Sequence, residues 1–555
     1  MDFDELLAKC GNSHRYQYLL LGLYSLLMFV TSMHNFSQNL IGFVPDHWCH
    51  HEQLENRSYA EIEAIYNQFE KPSCTRLATI GSDLDGRNTT ISTERCDRWI
   101  YNYDFGFRSM NIELNWVCDE AYKAPVGQSF FFVGSMCGTL IFGLLGDRIG
   151  RIKAVILANW CGFLGDFLTI FTESLTAFSV TRFVSGLAVD ANTYLMYILA
   201  LEYLSPSLRN VGLSISMGIF YCLGMICACG LAILVGNWRG FLACSSLPLL
   251  LVTLFYFLVQ ESAQWLVTRN DIDGAVLRLR RVAKMNRRSI CEADLDAFRS
   301  YCQINCTRKA QESNENQDKL IDMFQTPHLR KTIITMLIVF TIISVCYNTL
   351  ARNVEGLGIS PFIMFSMTAL TLLPSGLIQA DIQKRIGRKG SSVLSMLLTG
   401  LFTAASGIAL SFWQHPSAVL LITLTMASRL GLSVCFGSTL LFSTELVPTC
   451  VRSRGLAVAH VSGAAASLLS PYILHLGTYY RAGPSIILCL LFFICAYLCL
   501  LLPETGNRKL PISLAEGEQF GREDRMFDFL RTAKAQTAAE ADRKPEAETL
   551  QKLMS

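Results

Sequence analysis

The stretches GLLGDRIGR at residues 143–151 and ADIQKRIGR at residues 380–388 decide the architecture. Each follows a long apolar block and closes on Arg-Ile-Gly-Arg, at Arg148–Arg151 and Arg385–Arg388. Two further marks repeat in the same order. Arg182 in TRFVSGL is matched by Arg429 in SRLGLS, and Glu202, Pro206 and Arg209 are matched by Glu445, Pro448 and Arg452. The offsets are 237 residues (143 to 380), 247 (182 to 429) and 243 (202 to 445). Three marks in one order at nearly one offset mean that two halves repeat a single structural plan.

Composition identifies the environment of those halves. Of 555 residues, 51% are hydrophobic and 17% charged, against about 25% charged in an average soluble protein. Mean hydropathy is +0.34, as expected where apolar blocks alternate with hydrophilic loops. The apolar residues come in blocks of about 20, the length that spans a bilayer as a helix. They predict helices at Tyr16–Gln38, Ala124–Leu145, Ala154–Phe171, Thr176–Leu201, Val211–Val235 and Arg239–Val259. A second set falls at Thr332–Leu350, Pro361–Ala380, Ser391–Phe412, Ser417–Ser443, Leu456–Gly477 and Pro484–Leu502. The expected fold is therefore an all-α membrane protein of twelve helices in two six-helix halves. Its segments are an N-terminus (1–15), helix 1 (16–42), a long loop (43–123), helices 2–6 (124–259), a second loop (260–331), helices 7–12 (332–502) and a disordered tail (503–555). The acidic N-terminus, without a cleavage site behind helix 1, argues against a removed signal peptide.

Three independent features orient the array. The loops after helices 2, 4, 8 and 10 carry Arg148, Arg151, Lys153, Arg209, Lys384, Arg385, Arg388, Lys389, Arg452 and Arg454, which the positive-inside rule assigns to the cytoplasm together with both termini. The opposite loop, 43–123, holds Cys49, Cys74, Cys96 and Cys118, as in an oxidising compartment. Four cysteines allow three pairings. The same loop holds two glycosylation sequons, at Asn56 and Asn88, and its length predicts a small folded cap. The sequons at Asn35 and Asn305 fall in helix 1 and in the cytoplasmic loop, where they are silent. That inner loop, with AVLRLRRVAKMNRRS at 275–289, predicts basic and acidic helical segments. A net charge of +2 and the absence of Walker-type or zinc-ligand spacings exclude nucleic-acid binding, ATP hydrolysis and a structural metal as sequence-supported readings, and no cofactor is implied.

The pattern Gly143, Asp147, Arg148, Gly150, Arg151 resembles the signature loop of the major facilitator superfamily. Finer marks are similar to the organic ion transporter family: FDELLAKCGNSHRYQ at 3–17, FVPDHWC at 43–49, LNWVC at 114–118, QESAQWL at 260–266 and LLPETGNR at 501–508. The resemblance covers the chain to about residue 508. It implies a multi-pass plasma-membrane carrier of small organic ions, working by alternating access around a site between the halves. The chain departs from the family at Gln260, Ala263 and Gln264, where Pro-Glu-Ser-Pro-Arg-Trp is usual, and at Lys384, where an acidic residue is usual.

The resemblance divides the charged residues into two groups. Asp147, Arg148, Arg151, Arg182, Glu202, Arg209, Arg385, Arg388, Arg429, Glu445 and Arg452 are expected in an inner gate, whose ion pairs join the halves when the carrier faces outward. Helix 4 places Asp190, Tyr194 and Tyr197 on one face, a carboxylate and two rings suited to a cationic head. Tyr197 matches a tyrosine implicated in substrate binding, and cation carriers of the family often have lysine in place of Asp190. Asp190 equally fits an ion pair with Arg352. Phe36, Asn39, Gln38, Phe220, Tyr221 and Tyr347 are further candidates for the cavity lining, with Asp166 a weaker one. Helix 11 has Ala464 where cation carriers have Asp and anion carriers have Arg, and Leu372 precedes Pro374 in helix 8 where some cation carriers have Glu. The expected substrate is an organic cation or an amine-bearing zwitterion. Alternatives are an organic anion or a neutral sugar-like solute, or a receptor without transport. No catalytic arrangement is visible, and no residue set decides among uniport, ion coupling and exchange.

Overall fold

The computed structural model describes residues 3–527 except 51–56, 67–73, 78–90, 206–207, 209–211, 214, 313–323, 353–359, 414–416, 449–450, 507, 509–510, 512, 523 and 525. Eleven helices among these residues are long and apolar enough to cross a membrane. One of them, Pro361–Phe412, has 52 residues, about 78 Å at 1.5 Å per residue and more than twice a bilayer core of about 30 Å. Gly387 interrupts it with φ 82° and ψ −175°, so it is two passages and the crossings number twelve. Helices 1–6 cover Arg15–Ile41, Cys118–Ile149, Arg151–Thr169, Leu175–Tyr203, Ser216–Val235 and Trp238–Leu258. Helix 7 covers Pro327–Leu350, helices 8 and 9 share Pro361–Phe412, and helices 10–12 cover Ala418–Leu446, Gly455–His475 and Gly483–Leu500.

Helix 9 begins at Arg388, directly after the Gly387 break and three residues before the expected start. The charged residues there have partners, so the helix need not wait for the apolar block. Gly150, with φ 104°, makes the matching break between helices 2 and 3. Both breaks require glycine, because a Cβ at either position would collide with a glutamate side chain, Glu261 in one half and Glu504 in the other.

Helices 4 and 11 tighten part-way along. In helix 4 Leu187 N–H donates to Val184 O at 3.3 Å and Ala188 N–H to Ser185 O at 3.4 Å, one turn before Asp190. Helix 11 does the same at Leu468 and Leu469. Short 3₁₀ turns inside long helices often mark hinges.

Three apolar cores organise the bundle. One fills the first half at the end carrying the basic loops, and a second fills the other half at that same end. The third lies at the opposite end and is shared, with Phe107, Phe178 and Trp238 of the first half packed together with Phe362 and Phe365 of the second. Residue 43–123 loop segments form a cap over this shared end. Strand His47–Cys49 pairs antiparallel with Trp99–Tyr101, and disulfides join Cys49 to Cys96 and Cys74 to Cys118. Arg108 exchanges backbone hydrogen bonds with Gly236 and Trp238 in the turn before helix 6, and Glu113 accepts Trp238 Nε1–H at 2.7 Å. Phe105 and Phe107 reach across to Phe362 at ring distances of 6.2 and 5.4 Å. The sequons at Asn56 and Asn88 lie outside the described residues.

At the other end, helices Phe3–Cys10, Ile272–Met285 and Glu292–Glu312 pack together through Leu6, Leu7, Leu279 and Phe298. Asn286 fixes this layer, donating to Cys10 O and Gly11 O and accepting Tyr16 N–H at 2.9 Å. The first part of the tail is ordered, contrary to its polar composition. Helix Leu514–Gln519 docks there because Glu518 accepts the N–H groups of His328 and Leu329 at the start of helix 7.

Arg182 is not at the basic end, where the sequence marks place it. It is fully buried among helices 1, 3 and 4, donating to Asp166 Oδ1 at 2.7 Å, Thr169 Oγ1 at 2.6 Å and Gln38 Oε1 at 3.4 Å. His34 donates to Asp166 Oδ2 at 2.8 Å and faces Ser185 O at 3.2 Å, while Ser185 Oγ–H donates to Asp166 Oδ1 at 2.6 Å. Asp166 therefore belongs to an internal tie and not to a cavity lining. One carboxylate serves a guanidinium and an imidazole, so its removal strands buried positive charge. Asp166→Asn is expected to cost about 3–5 kcal/mol, read as a fall in melting temperature of the purified protein; Asp166→Asn/Arg182→Met recovers part of it. Cys74→Ser/Cys118→Ser, opening a loop of sequence separation 44, is expected to cost about 4 kcal/mol, read as protease sensitivity of the cap.

Candidate functional site

Two groupings of polar residues remain once the cores are assigned. One lies at the basic end and is built twice. In the first half Glu261 accepts Arg151 N–H at 2.9 Å and Ile152 N–H at 3.2 Å, the first amides of helix 3. In the second, Glu504 accepts Arg388 N–H at 3.0 Å and Lys389 N–H at 3.1 Å, the first amides of helix 9. Helix N-termini leave these donors without intrahelical partners and attract negative charge. The residue after each glutamate is a hydroxyl that donates to the end of another helix: Ser262 to Glu202, and Thr505 to Glu445 at 2.6 Å. Burial pushes the Glu261 carboxyl above its usual range, against the pull of its amide donors and Arg151.

The arginines complete each cluster. Arg151 pairs with Asp147, whose carbonyl accepts Trp265 Nε1–H at 2.8 Å. Arg388 pairs with Glu445 at 3.2 Å and donates to Gln383 Oε1 at 2.9 Å. Arg385 pairs with Asp381 at 2.9 Å on the exposed surface, and Arg148 is exposed. Each of these ion pairs runs within one half. Arg209 and the side chain of Arg452 lie outside the described residues. Sequence reasoning missed Glu261, Ser262, Glu504 and Thr505, although Glu-Ser and Glu-Thr recur at the offset of 243 residues that relates Glu202 to Glu445.

The second grouping lies between the halves. Asp190 accepts the Ser135 hydroxyl from helix 2 and is exposed, as are Tyr194 at 47% and Tyr197 at 36% on the same helix face. Asp190 is within electrostatic reach of Tyr221 and of His460 in helix 11. The Tyr221 hydroxyl accepts Asn35 Nδ2–H at 3.0 Å, and its ring meets Phe36 edge-on at 6.1 Å. From the second half, the Tyr347 ring lies tilted against Phe436 at 4.7 Å and His460 meets Phe340 edge-on at 5.1 Å. Phe220 packs against the core of the first half, and Asn39 is buried with its side-chain oxygen unpartnered.

Arg429 belongs to this grouping and not to the basic end. Its guanidinium lies 4.9 Å over the Tyr347 ring, 1% exposed, with Nε and Nη1 lacking a hydrogen-bond acceptor among the described residues. Arg352 does not pair with Asp190; it lies 4.4 Å over Phe132, also with an unpartnered Nη1. Asp190 on helix 4 and Arg429 on helix 10 are both within electrostatic reach of Tyr221, so a carboxylate of one half and a guanidinium of the other flank the same ring. Apart from Asp190 and the tyrosines, the polar members of this grouping were hidden in the sequence. Arg429 was masked by its alignment with Arg182, and nothing in their spacing separates His460, Ser135 and Asn35 from the other polar residues of helices 11, 2 and 1.

The halves touch mainly at the capped end, where Ser129 Oγ–H donates to Leu468 O at 3.3 Å and the shared aromatic core closes. At the basic end each half has its own core.

Comparison with known proteins places this architecture. Residues 99–512 match the family model described as sugar (and other) transporter. The chain is 28% identical over 532 residues to human organic cation/carnitine transporter 2, covering 92% of this chain and 93% of that protein. It is 24% identical over 532 residues to the Drosophila melanogaster organic cation transporter protein, covering 94% and 95%, and 27% identical over 534 residues to human solute carrier family 22 member 13, covering 93% of each. Among solved structures, the major facilitator superfamily proton:xylose symporter XylE bound to 6-bromo-6-deoxy-D-glucose aligns with a TM-score of 0.57 at 13% identity, covering 91% of this chain and 98% of that one. The inward open conformation of XylE from E. coli gives 0.56 at 12% identity, covering 90% and 99%. The chain belongs to the sugar (and other) transporter family, with the twelve-helix fold of the major facilitator superfamily and the function of a membrane transporter rather than an enzyme.

Proposed function

We propose that this transporter carries small zwitterionic organic ions, an amine with a carboxylate, by alternating access at the plasma membrane. The opposition of Asp190 to Arg429 across the space between the halves carries this reading. An ammonium group beside Asp190 gains a charge-assisted partner and the faces of Tyr194, Tyr197 and Tyr221. A carboxylate at Arg429 satisfies donors that are buried without acceptors, a condition costing about 1–3 kcal/mol per group. The names of the relatives, organic cation and organic cation/carnitine transporters, support an amine-bearing substrate.

The basic loops face the cytoplasm in this reading and the disulfide-bonded cap faces outward, with Asn56 and Asn88 as glycosylation sites. The twin clusters are then an inner gate. Separate cores at the basic end and a shared core at the capped end fit a carrier open to the cytoplasm. Residues Asp147, Arg148, Arg151, Glu202, Arg209, Arg385, Arg388, Glu445 and Arg452 would exchange partners across the halves when the carrier turns outward. Such a network need shift the two states by only a few kcal/mol to reverse their populations.

Uptake of labelled zwitterions, cations and anions into expressing cells tests the site. Asp190→Asn is expected to lower zwitterion and cation uptake by ten- to a hundredfold, and Arg429→Gln to lower zwitterion uptake alone. Uptake restricted to anions and unaffected by Asp190→Asn overturns the assignment. For the gate, Glu261→Gln and Glu504→Gln are each expected to slow uptake severalfold at normal surface abundance, and normal rates in both would discard it.

A further inference from the structure

The basic helix Ile272–Met285 has no part in transport as described, yet its charges are divided in a way that points to a ligand. Its buried face holds Ala275, Val276, Leu279, Val282 and Ala283. On the surface of this layer three cations are neutralised: Lys9 by Asp294 at 2.7 Å, Arg280 by Glu292 at 2.6 Å and Arg299 by Asp296 at 2.8 Å. Arg278 and Arg281, one turn apart, face elsewhere. With Lys153 of helix 3 they line a cavity of about 400 Å³, walled also by Tyr256, Trp265 and Glu261.

None of the three cations has a carboxylate partner among the described residues; Arg278 donates only to the neutral Gln260 amide, at 3.0 Å. Glu261 makes no ion pair with any of the three; its two oxygens accept backbone amides at the start of helix 3. The cavity opens where helix 6 leaves the apolar layer. Tyr256, Phe257 and Leu258 are 56%, 74% and 42% exposed there, and Ile149 of helix 2 is 36% exposed. Aromatic rings at a span end sit at the headgroup level of a bilayer. Basic pockets between helices at the cytoplasmic face suit anionic lipid headgroups.

We propose that Lys153, Arg278 and Arg281 form a binding site for the polyphosphorylated headgroup of an inner-leaflet lipid of the phosphoinositide class. The acyl chains lie along the exposed rings of helix 6 and the phosphates reach the three cations. A single charge leaves two of the cations unpaired, so a headgroup with several phosphate charges fits better than phosphatidylserine. The site adjoins the gate, because Ile152 and Glu261 form both its wall and the helix 3 attachment. The proposal rests on the cytoplasmic placement of the basic loops given above.

The test uses the full-length protein in phosphatidylcholine nanodiscs, titrated with short-chain phosphatidylinositol bisphosphate, short-chain phosphatidylserine and soluble inositol trisphosphate. The bisphosphate lipid is expected to bind most tightly. Lys153→Gln/Arg278→Gln/Arg281→Gln should weaken it about a hundredfold, and Arg280→Gln on the same helix by less than about twofold. Size-exclusion behaviour and substrate uptake verify that the triple variant is folded. Unchanged binding by the triple variant overturns the site. Equal affinity for soluble inositol trisphosphate overturns the lipid as ligand, and equal affinity for phosphatidylserine overturns the polyphosphate class. An N-terminal tag that antibody reaches in intact cells overturns the orientation and with it the inner-leaflet lipid as the occupant; the nanodisc affinities, measured with both faces presented, still decide whether the three cations form the site.

Discussion

A carboxylate that accepts the first two free amides of a helix is the interaction on which each half depends. Glu261 and Glu504 come from the ends of helices 6 and 12 and hold the starts of helices 3 and 9. The next residue, Ser262 or Thr505, ties the end of helix 4 or 10 through Glu202 or Glu445. Three segments distant in sequence are thereby joined at one point. The glycines at 150 and 387 follow from this, since the glutamate occupies the space a Cβ would need. With one end of each half fixed in this way, and Asp166 tying helices 1, 3 and 4 within the first, the halves can move as bodies.

Motion of bodies needs an interface that can be remade. At the capped end the interface is apolar and aromatic, spread over Phe107, Phe178, Trp238 and Phe362. At the basic end the described ion pairs are internal to each half. Between them lies the proposed site, to which one half brings the Asp190 carboxylate and the other the Arg429 guanidinium. A ligand carrying both charges would bridge the halves, which is how binding energy can be applied to the equilibrium between states.

The spans, the repeat and the separation of charged ends from apolar middles were legible because each is a local property of composition and spacing. Asp190, Tyr194 and Tyr197 were legible as a set because one helix carries all three. Phe36, Tyr221 and Tyr347 were legible singly, but Arg429, His460 and Ser135 were not legible as members of the site. Arg429 aligns with Arg182 in the repeat, yet Arg182 meets Asp166 and Thr169 from helix 3, whereas Arg429 meets the Tyr347 ring from helix 7. Equivalent positions in a repeat share backbone geometry but need not share neighbours. The ordered start of the tail was likewise hidden, since its docking depends on amides at the start of helix 7, almost 200 residues away.

By itself the sequence determined that this is a membrane protein of twelve helices in two repeated halves, because bilayer thickness dictates the length of an apolar block and a repeat preserves its spacing. Tertiary structure alone decided the pairing of the four cap cysteines, the role of the two glutamates after helices 6 and 12, and which arginine faces the central site. The physical reason is the same in each case. Disulfides, amide-capping carboxylates and buried ion pairs are set by distances of a few ångströms between segments, and those distances exist only once the chain has packed.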